Sequence, residues 1–187
     1  MQRPGERKTT GKAAAGGDQS DGQLADAPAV KVRGLPALLI RRHLGIGWWG
    51  LLIFLTLGIV LELLHSFKFP GYLAPGNGTR RLLWTLAHSH GTLFSLIHIA
   101  FAATLTTASW MGGAKGGVDQ QKQVGNLSWA SRCLTGALVL MPLGFFAGGW
   151  GLQAGDPGWG IFLAPVGAAL LLIGVGLTLV VLGQNWS

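Results

Sequence analysis

The chain has 187 residues, of which 49% are apolar and only 11% are charged, whereas about 25% of the residues in an ordinary soluble domain are charged. Its mean hydropathy is +0.44. These values argue against a soluble domain and predict an integral membrane protein. The net charge of +7 does not indicate a nucleic-acid partner, because eight of the fourteen Lys and Arg residues precede the first apolar run. Basic residues placed there contact anionic lipid head groups and set the topology.

Residues 1–35 are rich in Gly, Ala, Asp, Gln and Lys and contain no aromatic residue. Such a segment buries too little apolar surface to fold, so we predict a disordered cytoplasmic tail. Residues 36–187 are predicted to form one transmembrane domain, with residues 36–43 as a short interfacial helix at its entrance. Cys133 is the single cysteine, which excludes an internal disulfide and a cluster of thiolate metal ligands.

Four apolar runs follow the tail, at residues 45–64, 82–105, 134–150 and 160–183. Each is close to the roughly 20 residues that a helix needs to cross a bilayer core of about 30 Å. Because lipid offers no hydrogen-bond partners, the backbone of each run must satisfy itself as a helix. The sequence therefore predicts an all-α fold, a four-transmembrane-helix bundle. The third run is the least regular, since Pro142 and several glycines interrupt it.

The positive charges orient this bundle. Eleven of the fourteen Lys and Arg residues lie in the N-terminal segment and the second loop, three lie in the first loop, and none lies in the third. Because Lys and Arg are enriched in cytoplasmic loops, we expect a multi-pass protein of the cell inner membrane with both termini cytoplasmic. Small residues in the third and fourth runs, such as Gly144 and Gly167, also predict that these two helices pack closely together or against a partner.

The polar residues of the first two runs form a pattern. Glu62 and His65 are three residues apart and share one face of the first helix. On the second helix, one face carries a stripe of polar and small residues, which are His88, Gly91, Thr92, Ser95 and His98. We call these five residues the polar stripe. His90 points to the opposite side. A polar stripe on an apolar helix is expected to face the interior of the bundle.

Pairing the first two helices antiparallel at residues 64 and 82 brings Glu62, His65 and His88 together near the outer membrane face. One carboxylate with two or three imidazoles suits Fe, Cu or Zn, so these residues are candidate metal ligands. His90 is a fourth candidate if its helix rotates or kinks. His88 should be the central ligand, because it lies inside the membrane and on the polar stripe.

Haem b is an alternative cofactor, with His88 and His98 as axial ligands about 15 Å apart along the helix axis. The second ligands would have to be His65 and His43, which this pairing offsets by roughly 9 Å from their partners. That offset argues against bis-histidine ligation. With no ionisable partner in view, His98 is expected to bond to a hydroxyl or a carbonyl.

Two further functions stay open. Histidines and hydroxyls inside membranes often hydrogen-bond across helices, which fits a non-catalytic subunit or assembly factor of a membrane complex. Intramembrane ionisable residues also serve proton or small-solute pathways. The predicted partners are the lipid bilayer, other membrane subunits or a second copy of the chain. Since the sequence has no phosphate-binding loop, nucleophile elbow or His-Glu-x-x-His motif, it offers no candidate catalytic residue, and an enzyme is disfavoured.

The motifs "LELLHSFK" and "RRLLWTLAHSHGTLFSLIHIAFA" resemble those of a group of small bacterial four-span membrane proteins. Members of that group carry Glu-x-x-His on the first helix and Ala-His-x-His-Gly on the second. The resemblance covers residues 45–110 and implies the four-span fold, but no activity. The histidine-bearing helix is also distantly similar to the ligand helices of haem-copper oxidases, although the other helices of that fold are missing.

Overall fold

The computed structural model describes residues 27–111, 118–152 and 155–186. These residues confirm the all-α class. The helices are α1 (Ala27–Ser66), α2 (Pro70–Leu73), α3 (Gly78–Met111), α4 (Val118–Trp150) and α5 (Leu163–Trp186). Short 3-10 turns at Pro75–Asn77 and Trp159–Phe162 lead into α3 and α5. The helix α4 runs through Pro142 without a break, so the predicted irregular third run is part of one long helix.

Three helices are long and apolar enough to cross a membrane among the described residues, at Ala37–Ser66, Gln121–Trp150 and Trp159–Gly183. They contain the predicted first, third and fourth runs. The predicted second run, residues 82–105, lies in α3, which is helical but does not reach the same mean hydropathy over its described part. The three histidines and the several hydroxyl residues of α3 lower that mean. Composition thus supports a membrane protein, with three spans established on this criterion.

The start of α1 differs from the prediction. The helix begins at Ala27, so residues 27–35 of the predicted disordered tail are helical, and residues 36–43 continue the same helix instead of forming a separate interfacial one. Polar composition marks no helix boundary by itself, and the Pro residue after Ala27 fits the first turn of a helix, where its missing N–H costs nothing. Residues 1–26 lie outside the described residues.

The long helices pack in chain order, α1 against α3, α3 against α4 and α4 against α5. The two central helices therefore provide most of the interior. In the apolar window of α4, 44% of the residues are buried, against 17% in α1 and in α5. One cluster of buried apolar side chains joins α1, α3 and α4 around Leu39, Phe101 and Leu134. A second joins α3 to α4 around Phe94 and Leu138.

Glycines allow α4 and α5 to approach closely, as the small residues predicted. A Cβ atom added at Gly144 would lie 2.6 Å from the backbone nitrogen of Ala164. A Cβ atom at Gly167 would lie 2.7 Å from the backbone nitrogen of Met141. At both positions the neighbour is backbone, which cannot rotate away. Close backbone contact of this kind is how helices associate in lipid, where apolar burial provides little driving force.

This contact predicts an asymmetry between two glycine substitutions. Gly144→Ala should lower the free energy of unfolding by about 1–3 kcal/mol, because the new methyl group forces the α4 and α5 backbones apart. Gly176→Ala is the matched control, since a Cβ atom there meets nothing within 4 Å and alanine favours the helix. Thermal unfolding in detergent measures both variants. Equal midpoints for the two would contradict the proposed contact.

Candidate functional site

The polar stripe lies on α3 and faces α1 inside the bundle, as predicted, and we call it the α3 stripe from here on. We name the two ends of the stripe by the orientation predicted from the positive charges. From the inner to the outer end, His98 contacts His43, Ser95 lies against Gly50, Gly91 against Phe54, and His88 against Gly58. The contacting residues of α1, at positions 43, 50, 54 and 58, lie on one face of that helix. Bulky and small residues alternate among them. Ser95 and His98 are 0% and 1% exposed. The inner part of the stripe is therefore buried in the interface between α1 and α3, whereas His88 at its outer end is half-buried.

At the outer end this interface opens into a groove with a volume of about 650 Å³. We call it the outer groove. Its polar lining includes Glu62, His65, Tyr72, Thr85, His88 and Ser89, and its apolar wall includes Leu55, Ile59 and Leu61. The structure thus brings three of the four predicted metal ligands, Glu62, His65 and His88, to one groove.

The ring of His88 has a defined orientation and tautomer. Its Nδ1 lies 2.7 Å from the carbonyl oxygen of Phe54. Because a carbonyl can only accept, Nδ1 carries the proton and donates, and Nε2 keeps a free lone pair. Gly58 provides the room, since a side chain at that position would overlap the ring. A histidine whose Nδ1–H donates to a backbone carbonyl is the usual state of a metal ligand.

The fourth predicted ligand, His90, lies elsewhere. Its Nδ1 donates to the carbonyl oxygen of Leu86, 2.9 Å away on the same helix. Its ring packs against Phe145 of α4, with 5.1 Å between the centroids. His90 therefore points away from α1, as the helical spacing indicates. Within the described ranges, no group of three or more His, Cys, Asp or Glu side chains is arranged to hold a metal ion. The residues of the outer groove share a space without forming a closed ligand set.

A second polar group lies at the inner end of the interface. The Nδ1 atoms of His43 and His98 are 2.6 Å apart, and Nε2 of His43 lies 2.8 Å from Oγ of Ser131. These residues belong to α1, α3 and α4, and each is at most 1% exposed. We call them the inner triad. They form a hydrogen-bonded chain that ties three helices together in a buried position.

The inner triad corrects two predictions. His98 bonds to another histidine, and not to a hydroxyl or a carbonyl. The offset that argued against pairing His43 with His98 is also closed, because the two side chains span it. The structure gives His98 this partner and leaves it out of the outer groove lining around His88. The spacing of His43 from Gly47 and Gly50 on one face of α1 was the signal that could have revealed the pair.

Two buried polar atoms on α3 have no hydrogen-bond partner among the described residues. They are Nε2 of His98 and Oγ1 of Thr92. Buried polar atoms in native proteins are ordinarily bonded, and those without a protein partner usually bond to an internal water. Both atoms belong to the α3 stripe, between the inner triad and the outer groove.

An aromatic cluster fixes the outer ends of α3 and α4 beside the groove. Trp84 stacks on Phe146 with 5.4 Å between centroids and donates from Nε1 to the Phe146 carbonyl oxygen at 3.2 Å. Tyr72, which lines the groove, also stacks on Trp84, with 6.3 Å between centroids. Arg80 donates from Nε to the carbonyl oxygen of Gly149 at 3.1 Å. These contacts hold the rim of the outer groove in place.

No family model matches this chain, and neither a curated protein nor a solved structure matches it. The described structure contains two polar sites on one interface. The outer one is an open groove and the inner one is closed.

The closed triad predicts different costs for two serine substitutions. Ser131→Ala should lower the free energy of unfolding by about 1–3 kcal/mol, because Nε2 of His43 is left buried without a partner. Ser89→Ala is the matched control, since Ser89 is exposed and donates only to Thr85 of its own helix. Reversible unfolding in mixed micelles measures the difference. If the Ser131 variant were as stable as the Ser89 variant, the hydrogen bond between Ser131 and His43 would not stabilise the bundle.

Proposed function

We propose that this chain is a four-span protein of the cell inner membrane whose outer groove binds a transition-metal centre through His88. The observation that carries the proposal is the fixed ring of His88, with Nδ1 donating to Phe54 and the lone pair of Nε2 free. The open space beside it is lined by Glu62 and His65. Imidazole and carboxylate together are a ligand set for Fe, Cu or Zn.

The position of α3 supports a fourth span. α3 packs between α1 and α4, both of which are long and apolar enough to cross a membrane. Its contacts with α1 run from His98 at one end to His88 at the other. A helix that follows two membrane-crossing helices over that length crosses with them. Its polar residues reduce its hydropathy without exposing it to lipid, because the α3 stripe faces α1.

The size of the groove favours a metal carried in a larger ligand. A bare ion needs ligand atoms at about 2 Å, whereas a volume near 650 Å³ is typical of a site for a small organic molecule. Haem b would combine both, since Nε2 of His88 would bind its iron and the side chains of Leu55 and Ile59 would offer its ring an apolar surface. Glu62 and His65 are exposed, so they are free to turn toward a bare ion as well. In both cases, haem or a bare ion, a transition metal is bound to His88.

The main alternative is a non-catalytic subunit or assembly factor whose histidines are structural. It is favoured by His43, His90 and His98, all of which bond or pack within the bundle. In that case the outer faces of α1 and α5 would contact other membrane subunits or a second copy of the chain. The alternative explains the inner triad but leaves the free lone pair of His88 without a role.

Metal content tests the proposal. The purified protein should bind Fe, Cu or Zn ions, or haem, and His88→Ala should weaken this binding at least about 100-fold, because even second-shell losses at metal sites cost 10- to 100-fold. His90→Ala is the matched control, since it removes an imidazole from the same helix on the face toward α4. Elemental analysis detects ions, and an absorption band of bound haem distinguishes haem iron. Equal binding by both variants, or none by the parent protein, would refute the site.

Cysteine labelling tests the topology. In a Cys133→Ala background, Gly76→Cys should react with an impermeant reagent from the outer side and Lys122→Cys from the cytoplasmic side, because both positions are exposed and an odd number of spans separates them. Labelling of both positions from the same side would contradict four spans. Reaction of the two from the opposite sides to those expected would reverse the proposed direction.

A further inference from the structure

The hydrogen bonds of the inner triad admit two arrangements of protons. In one, Nδ1–H of His98 donates to Nδ1 of His43, and Nε2–H of His43 donates to Ser131. In the other, Nδ1–H of His43 donates to His98, and the hydroxyl of Ser131 donates to Nε2 of His43. Both keep the two rings neutral, because each imidazole carries one proton in either case. They differ only in the direction of every hydrogen bond along the chain.

The arrangements also differ at the end of the chain, at Nε2 of His98. In the first this atom is a buried lone pair, and in the second it is a buried N–H. It has no protein partner in the described structure. A lone pair at the end of a hydrogen-bonded chain is the atom at which a proton can enter, and a water molecule is the partner that such a buried atom ordinarily takes.

We propose that the interface between α1 and α3 conducts protons, with the inner triad as its relay. A proton from water binds Nε2 of His98, and the bond between Nδ1 of His98 and its proton breaks as that proton moves to Nδ1 of His43. The proton on Nε2 of His43 then passes to Ser131 Oγ, and the serine hydroxyl releases its own proton to water. One proton enters, one leaves, and the chain is left in the second arrangement.

The relay must then be reset before it carries another proton. Each ring has to turn out of the chain, lose the proton of one nitrogen to water and gain a proton on the other nitrogen, because rotation about the Cβ–Cγ bond by itself leaves each proton on its own nitrogen. One proton is lost and one is gained at each ring, so the reset moves no net charge. His43 packs against the ring of Phe101, with 4.6 Å between centroids, and both histidines are almost fully buried. Turning these rings disturbs packed neighbours, which makes the reset the slow step. We therefore expect a slow proton carrier, and not an open channel.

The α3 stripe continues the path toward the outer groove. Between His98 and His88 lie Ser95, which is fully buried, and Thr92, whose hydroxyl oxygen is the second buried atom without a partner. Hydroxyl groups and internal water can pass protons along such a row.

At the other end of the path, Ser131 lies in the first half of α4. The path thus crosses the bundle along one interface, and it does not depend on metal binding in the outer groove.

Proton flux into vesicles tests the relay. The full chain is reconstituted into liposomes that contain a pH-sensitive dye, and a potassium gradient with valinomycin drives protons across the membrane. His98→Gln should reduce the protein-dependent flux about 100-fold, the usual contribution of a positioned proton-transfer group. Glutamine still donates and accepts hydrogen bonds, so the structural tie to His43 survives. His90→Gln, on the opposite face of α3, should conduct like the parent protein.

A second pair of variants guards against a folding defect in the His98 variant. Ser131→Ala should lose the flux, and Ser131→Thr, which keeps the hydroxyl, should retain it. Size-exclusion chromatography in detergent establishes that each variant is folded before reconstitution. Parent protein that conducts no faster than empty vesicles would overturn the proposal, and so would folded His98→Gln or Ser131→Ala variants that conduct at the parent rate. Metal binding by His88 is measured separately, so failure of the relay leaves that site untouched.

Discussion

The close contact between α1 and α3 is the constraint on which the rest of this structure depends. Helices in lipid gain little from burying apolar surface, so their association relies on tight packing and on hydrogen bonds between them. Gly50 and Gly58 on α1 leave space that Ser95 and His88 of α3 occupy, and Gly91 on α3 leaves space for Phe54. Larger residues at these glycines would separate the two helices and uncover the α3 stripe. The polar residues of α3 can therefore stay buried because Gly50 and Gly58 leave room for them on α1.

Periodicity explains why much of this arrangement was predictable. A spacing of 3.6 residues per turn places His88, Ser95 and His98 on one side of a helix and His90 on the other, and the structure agrees. The antiparallel pairing at residues 64 and 82 also predicts the observed contact of Gly58 with His88. The packing of α4 against α5 followed from their glycines. In each case a local pattern was enough, because the neighbouring helix was simply the next one in the chain.

The parts that were missed depend on side-chain reach and on chain ends. His43 and His98 were judged too far apart because residues were compared by their height along two straight axes. The position of a Cα atom along the helix axis does not fix where the imidazole ring of its side chain lies. The two rings reach each other, with 2.6 Å between their Nδ1 atoms. Ser131 was missed because it comes from a third helix, which a comparison of two helices does not include. The start of α1 at Ala27 was missed because composition changes gradually there.

At the two ends of the interface between α1 and α3, the polar groups have different kinds of hydrogen-bond partner. The chemistry open to the two ends therefore differs. In the outer groove, Glu62 and His65 are exposed, so solvent and lipid head groups can solvate them and a ligand can displace that solvent. At the inner triad, no solvent reaches the rings, so each polar atom must use a neighbouring side chain or an internal water. A site of the first kind is open to the exchange of ligands, while the polar atoms of the second kind keep the partners that the packed helices give them. Both follow from one stripe on α3, whose outer end lies beside a groove and whose inner end is enclosed between α1 and α4.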